Sequence, residues 1–362
     1  MRKRKYFMAS LMVMVMCVLA GCQGEDKQGT DIVLKNETSS GVGSGDVAKE
    51  DTGEKREEES EISNQEAETD AAGEQGASET EAPGQEISRI VCWGDSLTFG
   101  QGGEGVTFPS VLAELMPGVQ VINYGIQGET AKQIAIRAGA LPMTVSAFTI
   151  PEDNTPVQVY LWQNGEDPIM MRLGDVGINP CSIAGIQGVL SYDPDEIKYY
   201  FTRTEPGEAV DVADGTRVIT LGDEDKLPSD VIILFAGTNR APDKNTVQEL
   251  VDLERQMLEY IGSERYVVIG LTSKELVPDV AEINQALRQA FGEHFLDIRS
   301  YFLEDGLEDA GLEVTDQDQK DIERGEIPSS LRVDVVHGNS AFYRLIGEQV
   351  YEKLKELGYI SL

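Results

Sequence analysis

The segment 230–236, Asp-Val-Ile-Ile-Leu-Phe-Ala, is apolar at six consecutive positions, and it restricts the possible folds of this chain more than any other feature. A strand with one solvated face alternates apolar and polar residues, so an unbroken apolar run is typical of a strand covered on both faces. Similar short runs occur at Ile87–Trp93, Val119–Tyr124 and Tyr266–Leu271. These four segments predict the buried strands of a parallel sheet.

Segments with the apolar spacing of a helix separate and follow these strands. The predicted helices span about 109–116, 130–138, 246–261, 279–291 and 339–357. A fifth strand is predicted at Phe295–Ile298. Strands that alternate with helices predict an α/β fold, in which helices cover both faces of the sheet.

The alternation stops between residues 140 and 227, where turn signals separate short apolar runs. Asn164-Gly165 and Asp214-Gly215 are dipeptides typical of tight turns. The strands predicted here are Val157–Trp162, Ile169–Arg172, Ile197–Thr202 and Arg217–Leu221. We interpret residues 140–227 as a β-rich insertion in the α/β domain.

The predicted insertion is rich in aromatic residues, and two interpretations of them remain open. They could line a sugar-binding surface, or they could form the small core of the insertion itself. The residues concerned are Tyr160, Trp162, Tyr199, Tyr200 and Phe201.

The N-terminus has the features of a bacterial export signal. Basic residues at Arg2–Lys5 precede an apolar run from Tyr6 to Ala20, which is too short for a confident membrane-spanning helix. The run ends in Leu19-Ala20-Gly21-Cys22, which resembles a lipobox. The resemblance implies that residues 1–21 are removed and that lipidated Cys22 anchors the secreted protein to the extracytoplasmic face of a bacterial membrane. An ordinary signal peptide with a chance cysteine is the alternative.

Residues 22–86 are predicted to be a disordered, lipid-anchored acidic linker. From residue 23 onwards this stretch holds 19 acidic and 5 basic residues and no aromatic residue. Such a composition cannot bury enough apolar surface to offset chain entropy, and charge repulsion should extend it. The predicted domain, residues 87–362, has 45 acidic and 21 basic residues and a net charge of −24. This charge disfavours nucleic acid as a ligand and leaves the lipid anchor as the only expected membrane contact.

Cys92 and Cys181 are the cysteines of the predicted domain, and neither belongs to a C-x-x-C pair. We therefore expect no disulfide framework and no metal site, and Cys92 should be a small buried residue of the first strand. The chain has two histidines. His294 precedes a predicted strand, without an aspartate at a useful spacing, so we expect a surface or core role for it.

Polar or glycine-containing stretches follow three of the predicted strands. They are Gly94-Asp95-Ser96-Leu97, Gln127-Gly128-Glu129-Thr130 and Gly237-Thr238-Asn239. The carboxyl ends of parallel strands meet at one edge of a sheet, where α/β proteins bind their ligands, so we expect these stretches to converge. A fourth stretch, Asp334-Val335-Val336-His337, directly precedes the last predicted helix.

These residue types suit acyl transfer. The Ser96 hydroxyl becomes a nucleophile when a base such as His337 takes its proton, and the Asp334 carboxylate could orient that imidazole. The N–H groups of Ser96 and Gly128, with the Asn239 side chain, could stabilise the negative charge that develops on an ester oxygen. Singly, Ser96 could also be a helix cap and Gly128 a turn residue. The chemistry needs no metal and no organic cofactor.

In this order, the four stretches resemble the sequence blocks of the SGNH (GDSL-type) hydrolases. Carried over residue by residue, the resemblance implies that Ser96 is the nucleophile and that Asp334 and His337 are its partners. It implies an oxyanion hole formed by Ser96, Gly128 and Asn239. It also implies a flavodoxin-like three-layer α/β/α fold and serine esterase activity.

Three features depart from that family's pattern. Arg240 stands where the pattern often has Asp, and Gly338 stands where it often has Leu. The insertion at 140–227 has no place in the minimal pattern. None of these replaces a reacting group, so we expect them to affect loop shape and specificity. Ser96 is not within G-x-S-x-G, which disfavours the nucleophile elbow of the α/β-hydrolases.

The expected function is hydrolysis of a small acyl ester through an acyl-Ser96 intermediate. The acetyl group is the favoured acyl group, and an O-acetylated glycan is the favoured substrate, because an anchored enzyme with a β-rich insertion faces the cell surroundings. The alternatives are a lysophospholipase-like or thioesterase-like lipid esterase, an acyltransferase, and an inert carbohydrate-binding surface lipoprotein.

Overall fold

The computed structural model describes residues 87–360, so the predicted signal peptide, Cys22 and the predicted linker lie outside the described residues. In chain order, the strands are β1 (Arg89–Gly94), β2 (Gln120–Gly125), β3 (Thr144–Val145), β4 (Phe148–Ile150), β5 (Val157–Val159), β6 (Leu161–Trp162), β7 (Cys181–Ile183), β8 (Ile186–Asp193), β9 (Lys198–Arg203), β10 (Val210–Val212), β11 (Thr216–Ile219), β12 (Val231–Phe235), β13 (Tyr266–Ile269) and β14 (Phe295–Leu296). The helices are α1 (Ser96–Phe99), α2 (Phe108–Leu115), α3 (Ala131–Arg137), α4 (Leu221–Glu224), α5 (Val247–Ile261), α6 (Val280–Phe291), α7 (Ile298–Glu304), α8 (Gly306–Asp309), α9 (Asp316–Arg324) and α10 (Ser340–Glu356).

Five strands form a parallel sheet in the order β2-β1-β12-β13-β14. Counted by their order in the chain, these strands run 2-1-3-4-5 across the sheet, which is the flavodoxin-like order. The order reverses between β1 and β12, and ligands of such sheets bind outside the carboxyl ends of the strands at this point. The predicted flavodoxin-like α/β/α fold is confirmed.

Two apolar cores cover the two faces of this sheet. Helices α2 and α10 pack on one face, and helices α3, α5 and α6 pack on the other. Strand β12 contributes Ile233 and Phe235 to the first core and Ile232 and Leu234 to the second, because successive side chains of a strand point to opposite faces. The continuous apolar run that predicted this strand is therefore explained by burial on both sides.

The chain between α3 and β12 forms antiparallel sheets. A seven-stranded sheet has the order β5-β9-β8-β7-β11-β3-β6, and β4 pairs with β10. Tyr199 and Phe201 are buried in the core of this region, as one of the two interpretations of the aromatic residues expects. Tyr160 and Trp162 are 58% and 37% exposed and remain available to a ligand.

The predicted strand Ile169–Arg172 is wrong. This segment is an irregular loop, in which Ile169 and Met171 have φ angles of 56° and 64°. Positive φ is incompatible with a strand and uncommon for any residue with a side chain. The turn predicted at Asn164-Gly165 is confirmed, since both residues have positive φ, as a two-residue hairpin turn of type I′ requires.

Other differences have local causes. The fifth strand, β14, has two residues instead of the predicted four, because Asp297 caps helix α7 and ends the extended segment. Helix α9 was not predicted. Ile322 is its one apolar residue, so its sequence has no apolar periodicity that would indicate a helix. A capping box between Thr315 and Asp318 begins this helix instead.

Cys92 and Cys181 are buried and free of disulfides. No helix within residues 87–360 is long and apolar enough to cross a membrane. The same residues contain no group of three or more His, Cys, Asp or Glu side chains arranged to hold a metal ion.

Candidate active site

Ser96 lies at the first position of helix α1, two residues after the last residue of β1. The Asp95 carboxylate caps this helix by accepting the N–H of Leu97 at 2.9 Å. Burial raises the pKa of the Asp95 carboxyl to about 7, although the hydrogen bond from Leu97 opposes the rise. Gly94 has to be glycine, because a Cβ there would lie 2.5 Å from the carbonyl oxygen of Phe235. These contacts fix the backbone path between β1 and α1, and with it the position of Ser96.

A chain of hydrogen bonds links Ser96 to His337 and Asp334. The His337 Nε2 atom lies 2.9 Å from Ser96 Oγ, and His337 Nδ1 lies 2.8 Å from Asp334 Oδ2. The other carboxylate oxygen of Asp334 accepts the N–H groups of Val336 and His337, both at 2.7 Å. Partial burial acts to raise the pKa of Asp334, but these hydrogen bonds outweigh it and the pKa is lowered. A charged Asp334 favours the tautomer in which Nε2 can accept the Ser96 proton.

The loop that carries His337 is held at both ends. The Ser273 hydroxyl donates to the Val335 carbonyl at 2.7 Å, and Asn339 caps helix α10. Gly338 lies against the Phe342 ring, where a Cβ would come within 2.0 Å of the ring. Packing of Phe342 therefore explains why this chain has glycine where the family pattern often has leucine.

Gly128 and Asn239 lie on the loops after β2 and β12. Gly128 has a φ of 71°, which favours glycine. The Asn239 side-chain amide donates to the Glu129 carbonyl at 3.0 Å and makes a longer contact of 3.3 Å with the Asp95 carboxylate. Within residues 87–360, the backbone N–H groups of Ser96 and Gly128 have no hydrogen-bond acceptor. The structure thus brings the predicted residues to one edge of the sheet, with two backbone donors free.

A buried guanidinium connects the segments of this edge. Arg137 is fully buried, and its Nε donates to the Glu129 carboxylate at 2.7 Å. Its other nitrogens donate to the carbonyls of Val176 at 3.0 Å, Tyr124 at 2.9 Å and Gly94 at 3.3 Å. One side chain therefore joins the ends of β1 and β2, the loop of Gly128 and the region after α3.

Arg137 was not predicted as part of the site. Burial raises the pKa of the Glu129 carboxyl and lowers the pKa of Arg137, and the ion pair between them opposes both shifts. An arginine in the last turn of a helix is most simply exposed, and the sequence holds no signal that this guanidinium turns inward.

A cavity of about 440 Å³ opens beside Gly128 and Asn239. Its opposite wall is the loop 166–173, which belongs to the predicted insertion. Gln133 fastens this loop to helix α3, since its side-chain amide donates to the Ile169 carbonyl at 2.9 Å. The Leu173 side chain lies against Gly128, since a Cβ added to Gly128 would be 3.3 Å from Leu173 Cδ1. The antiparallel region therefore shapes the cleft next to the candidate oxyanion donors.

His294 lies apart from this cluster, as its sequence context predicted. Its Nδ1 atom lies 3.0 Å from the Tyr266 carbonyl oxygen and 3.2 Å from the Tyr359 hydroxyl. Its ring stacks on Tyr266 with 4.2 Å between the ring centres. These contacts give His294 a packing role between β13 and the C-terminal end of the described chain.

No protein-family model matches this chain, and no curated protein sequence is significantly similar to it. Its structure is similar to that of a member of the lipolytic G-D-S-L family from Veillonella parvula, with 14% identity, a TM-score of 0.35 and coverage of 73% of this chain and 96% of that chain. An acetyl xylan esterase has 12% identity, a TM-score of 0.39 and coverage of 73% and 98%. A peptidoglycan O-acetylesterase has 12% identity, a TM-score of 0.32 and coverage of 75% and 91%. At this level of similarity, the function has to be inferred from the site itself.

Proposed function

We propose that this protein is a serine esterase of the SGNH (GDSL) type that hydrolyses small acyl esters through an acyl-Ser96 intermediate. The observation that carries the proposal is the continuous hydrogen-bond chain from Asp334 through His337 to Ser96, at the carboxyl end of β1. The base is thus within hydrogen-bonding distance of both the nucleophile and the carboxylate that orients the base.

In the proposed reaction, Ser96 Oγ attacks the ester carbonyl while His337 Nε2 accepts the serine proton. The same nitrogen then donates that proton to the departing alcohol, which leaves the acyl group on Ser96. In the second half, water attacks the acyl-enzyme while His337 Nε2 accepts a proton from it, and the same nitrogen returns the proton to Ser96 Oγ as the carboxylic acid departs. Asp334 stays ionised throughout and stabilises the imidazolium.

The charge that develops on the carbonyl oxygen needs donors that are already in place. The unpaired N–H groups of Ser96 and Gly128 could supply two, and Asn239 could supply a third by releasing its longer contact to Asp95. The loss of one such donor typically costs about 3–4 kcal/mol of transition-state stabilisation.

We propose the acetyl group as the acyl group and an O-acetylated glycan as the substrate. The exposed aromatic rings of Tyr160 and Trp162, on the same antiparallel region that walls the cleft, support a sugar substrate because aromatic faces pack against sugar rings. The predicted Cys22 anchor and acidic linker would hold the enzyme outside the membrane, where acylated polysaccharides occur.

A lipid ester is the second candidate substrate. Phe99 lies three residues after Ser96, and Val335 lies two residues before His337. Both side chains are more than 40% exposed. Exposed apolar side chains beside a nucleophile favour longer acyl chains, since those chains gain from apolar contact.

Ester cleavage is tested with p-nitrophenyl acetate, butyrate and octanoate. Ser96→Ala and His337→Ala should each reduce turnover by at least a thousandfold, and a preference for acetate would support the deacetylase proposal. Ser340→Ala is the matched control, because Ser340 is also the first residue of a helix but is exposed and outside the site. It should keep full turnover.

A preference for octanoate would favour the lipid substrate, and transfer of acetate to an added sugar would favour an acyltransferase. If the folded protein cleaves no ester faster than Ser96→Ala does, the esterase proposal is contradicted. Sugar binding without turnover would then support a carbohydrate-binding surface protein.

The proposed location has its own test. Cys22→Ser removes the predicted lipidated thiol, so this variant should move from the membrane fraction to the soluble extracytoplasmic fraction. Equal membrane association of both proteins would contradict the anchor.

A further inference from the structure

Three cationic side chains line the 440 Å³ cavity beside Gly128 and Asn239. They come from separate parts of the chain: Lys132 from the first turn of α3, Arg172 from the loop 166–173, and Arg240 from the loop after β12. Helix, insertion loop and strand-end loop thus each place a cation at the same cleft.

None of the three is paired with a carboxylate of the described residues. Within residues 87–360, the side chains of Lys132, Arg172 and Arg240 donate no hydrogen bond and form no ion pair. All three are exposed, and Arg240 has a positive φ of 51°, an uncommon conformation for a residue with a long side chain. Such conformations persist where the surrounding structure holds them, often at ligand sites.

The acidic groups of the same cavity offset these charges only in part. Glu129 is paired with Arg137, and Asp167 accepts the N–H of Ile169 at 2.8 Å. Glu166 and Asp167 are the other two carboxylates on the lining, so three cations face two carboxylates that lack a cationic partner there. In a domain whose net charge is −24, the cleft beside Gly128 and Asn239 therefore has a small excess of positive charge.

We propose that this cleft binds an anionic group, a carboxylate or a phosphate, on the alcohol portion of the ester substrate. The proposal rests on the function proposed for Ser96, because a small acyl group leaves the alcohol portion to fill the cavity. Guanidinium groups bind carboxylate and phosphate oxygens in pairs, and a lysine adds a third charge. Lys132 and Arg240 also line an adjoining cavity of about 580 Å³, which offers room for a longer alcohol portion.

The test compares acetyl esters of methyl glucoside, glucuronic acid and glucose 6-phosphate, whose alcohol portions are neutral, carboxylated and phosphorylated. The full-length protein should cleave at least one charged ester with a KM about tenfold below that of the neutral ester, and the advantage should shrink at high salt. The preferred charged ester identifies the anion.

The variants Lys132→Gln, Arg172→Gln and Arg240→Gln should each raise the KM for that ester several-fold, and the triple variant should abolish the preference. Lys320→Gln is the matched control, because Lys320 is an exposed cation on α9 outside the cavity lining. It should keep the preference.

Two results would overturn the proposal. If p-nitrophenyl acetate is cleaved but neutral and charged esters have equal kcat/KM, the esterase function stands and the anion site is refuted. If no ester is cleaved, calorimetry with glucuronate and glucose 6-phosphate decides the anion site separately. Binding that the triple variant loses supports the site, and no binding to the parent protein refutes it.

Discussion

Replacement of Arg137 by methionine should destabilise the domain strongly. Methionine has a similar length and no charge, so the Arg137→Met variant leaves the buried Glu129 carboxylate without its ion-pair partner at 2.7 Å. It also leaves three carbonyls, those of Gly94, Tyr124 and Val176, without the donors that Arg137 provides.

The size of the loss follows from burial. Arg137 is fully buried and Glu129 is 5% exposed, so water cannot replace the lost partner. Removal of one partner of a buried pair costs about 3–5 kcal/mol. Since whole domains have unfolding free energies of about 5–15 kcal/mol, this loss is a large fraction of the stability. The double variant Glu129→Gln/Arg137→Met should recover part of it, because no buried charge remains.

The loss should also depend on pH in a defined direction. In Arg137→Met, burial raises the pKa of Glu129 in the folded state above its value in the unfolded chain. The folded variant then holds a proton that the unfolded chain releases, so its stability is retained at low pH and falls as the pH rises. The destabilisation should therefore be smaller at pH 5 than at pH 8.

Urea unfolding of the three proteins measures these differences, and Arg344→Met is the control. Arg344 forms an ion pair with Glu348 in which both side chains are about 40% exposed, and such pairs contribute less than about 1 kcal/mol. The reasoning is refuted if Arg137→Met loses no more stability than Arg344→Met, or if the loss does not change with pH.

Three further predictions concern the site. Asp334→Asn should lower kcat about a thousandfold or more, because the carboxylate orients His337. It should change the stability little, because the carboxylate is half exposed. A fall in kcat of less than tenfold would contradict the orienting role. Because the pKa of Asp95 is raised to about 7, its contribution to stability is present at low pH and lost as the pH rises. Urea unfolding measures the difference in unfolding free energy between the protein and Asp95→Asn. Between pH 5 and 7 this difference should fall by up to about 1.4 kcal/mol per pH unit. A difference that does not change with pH would refute the raised pKa. Gly128→Ala and Gly215→Ala, at φ angles of 71° and 79°, should each cost about 1 kcal/mol of stability, but Gly128→Ala alone should lower kcat.

Several features could be predicted because they depend on residues close together in the chain. The apolar run at 230–236 is buried on both faces, and the turn at Asn164-Gly165 needs only two residues that tolerate positive φ. Gly94, two residues before Ser96, could be recognised as part of a motif, although the reason for glycine there is the carbonyl of Phe235 on the neighbouring strand.

Local sequence alone determined the strands of the parallel sheet, most of the helices around it and the chemical types that follow each strand. The tertiary structure decided which groups meet: His337 and Ser96 are 241 residues apart in the chain and 2.9 Å apart in space. It also decided that Arg137 turns inward and that the loop at Ile169 walls the cleft. The physical reason is that short-range patterns report backbone preference and burial, whereas a loop conformation depends on partners that distant segments supply.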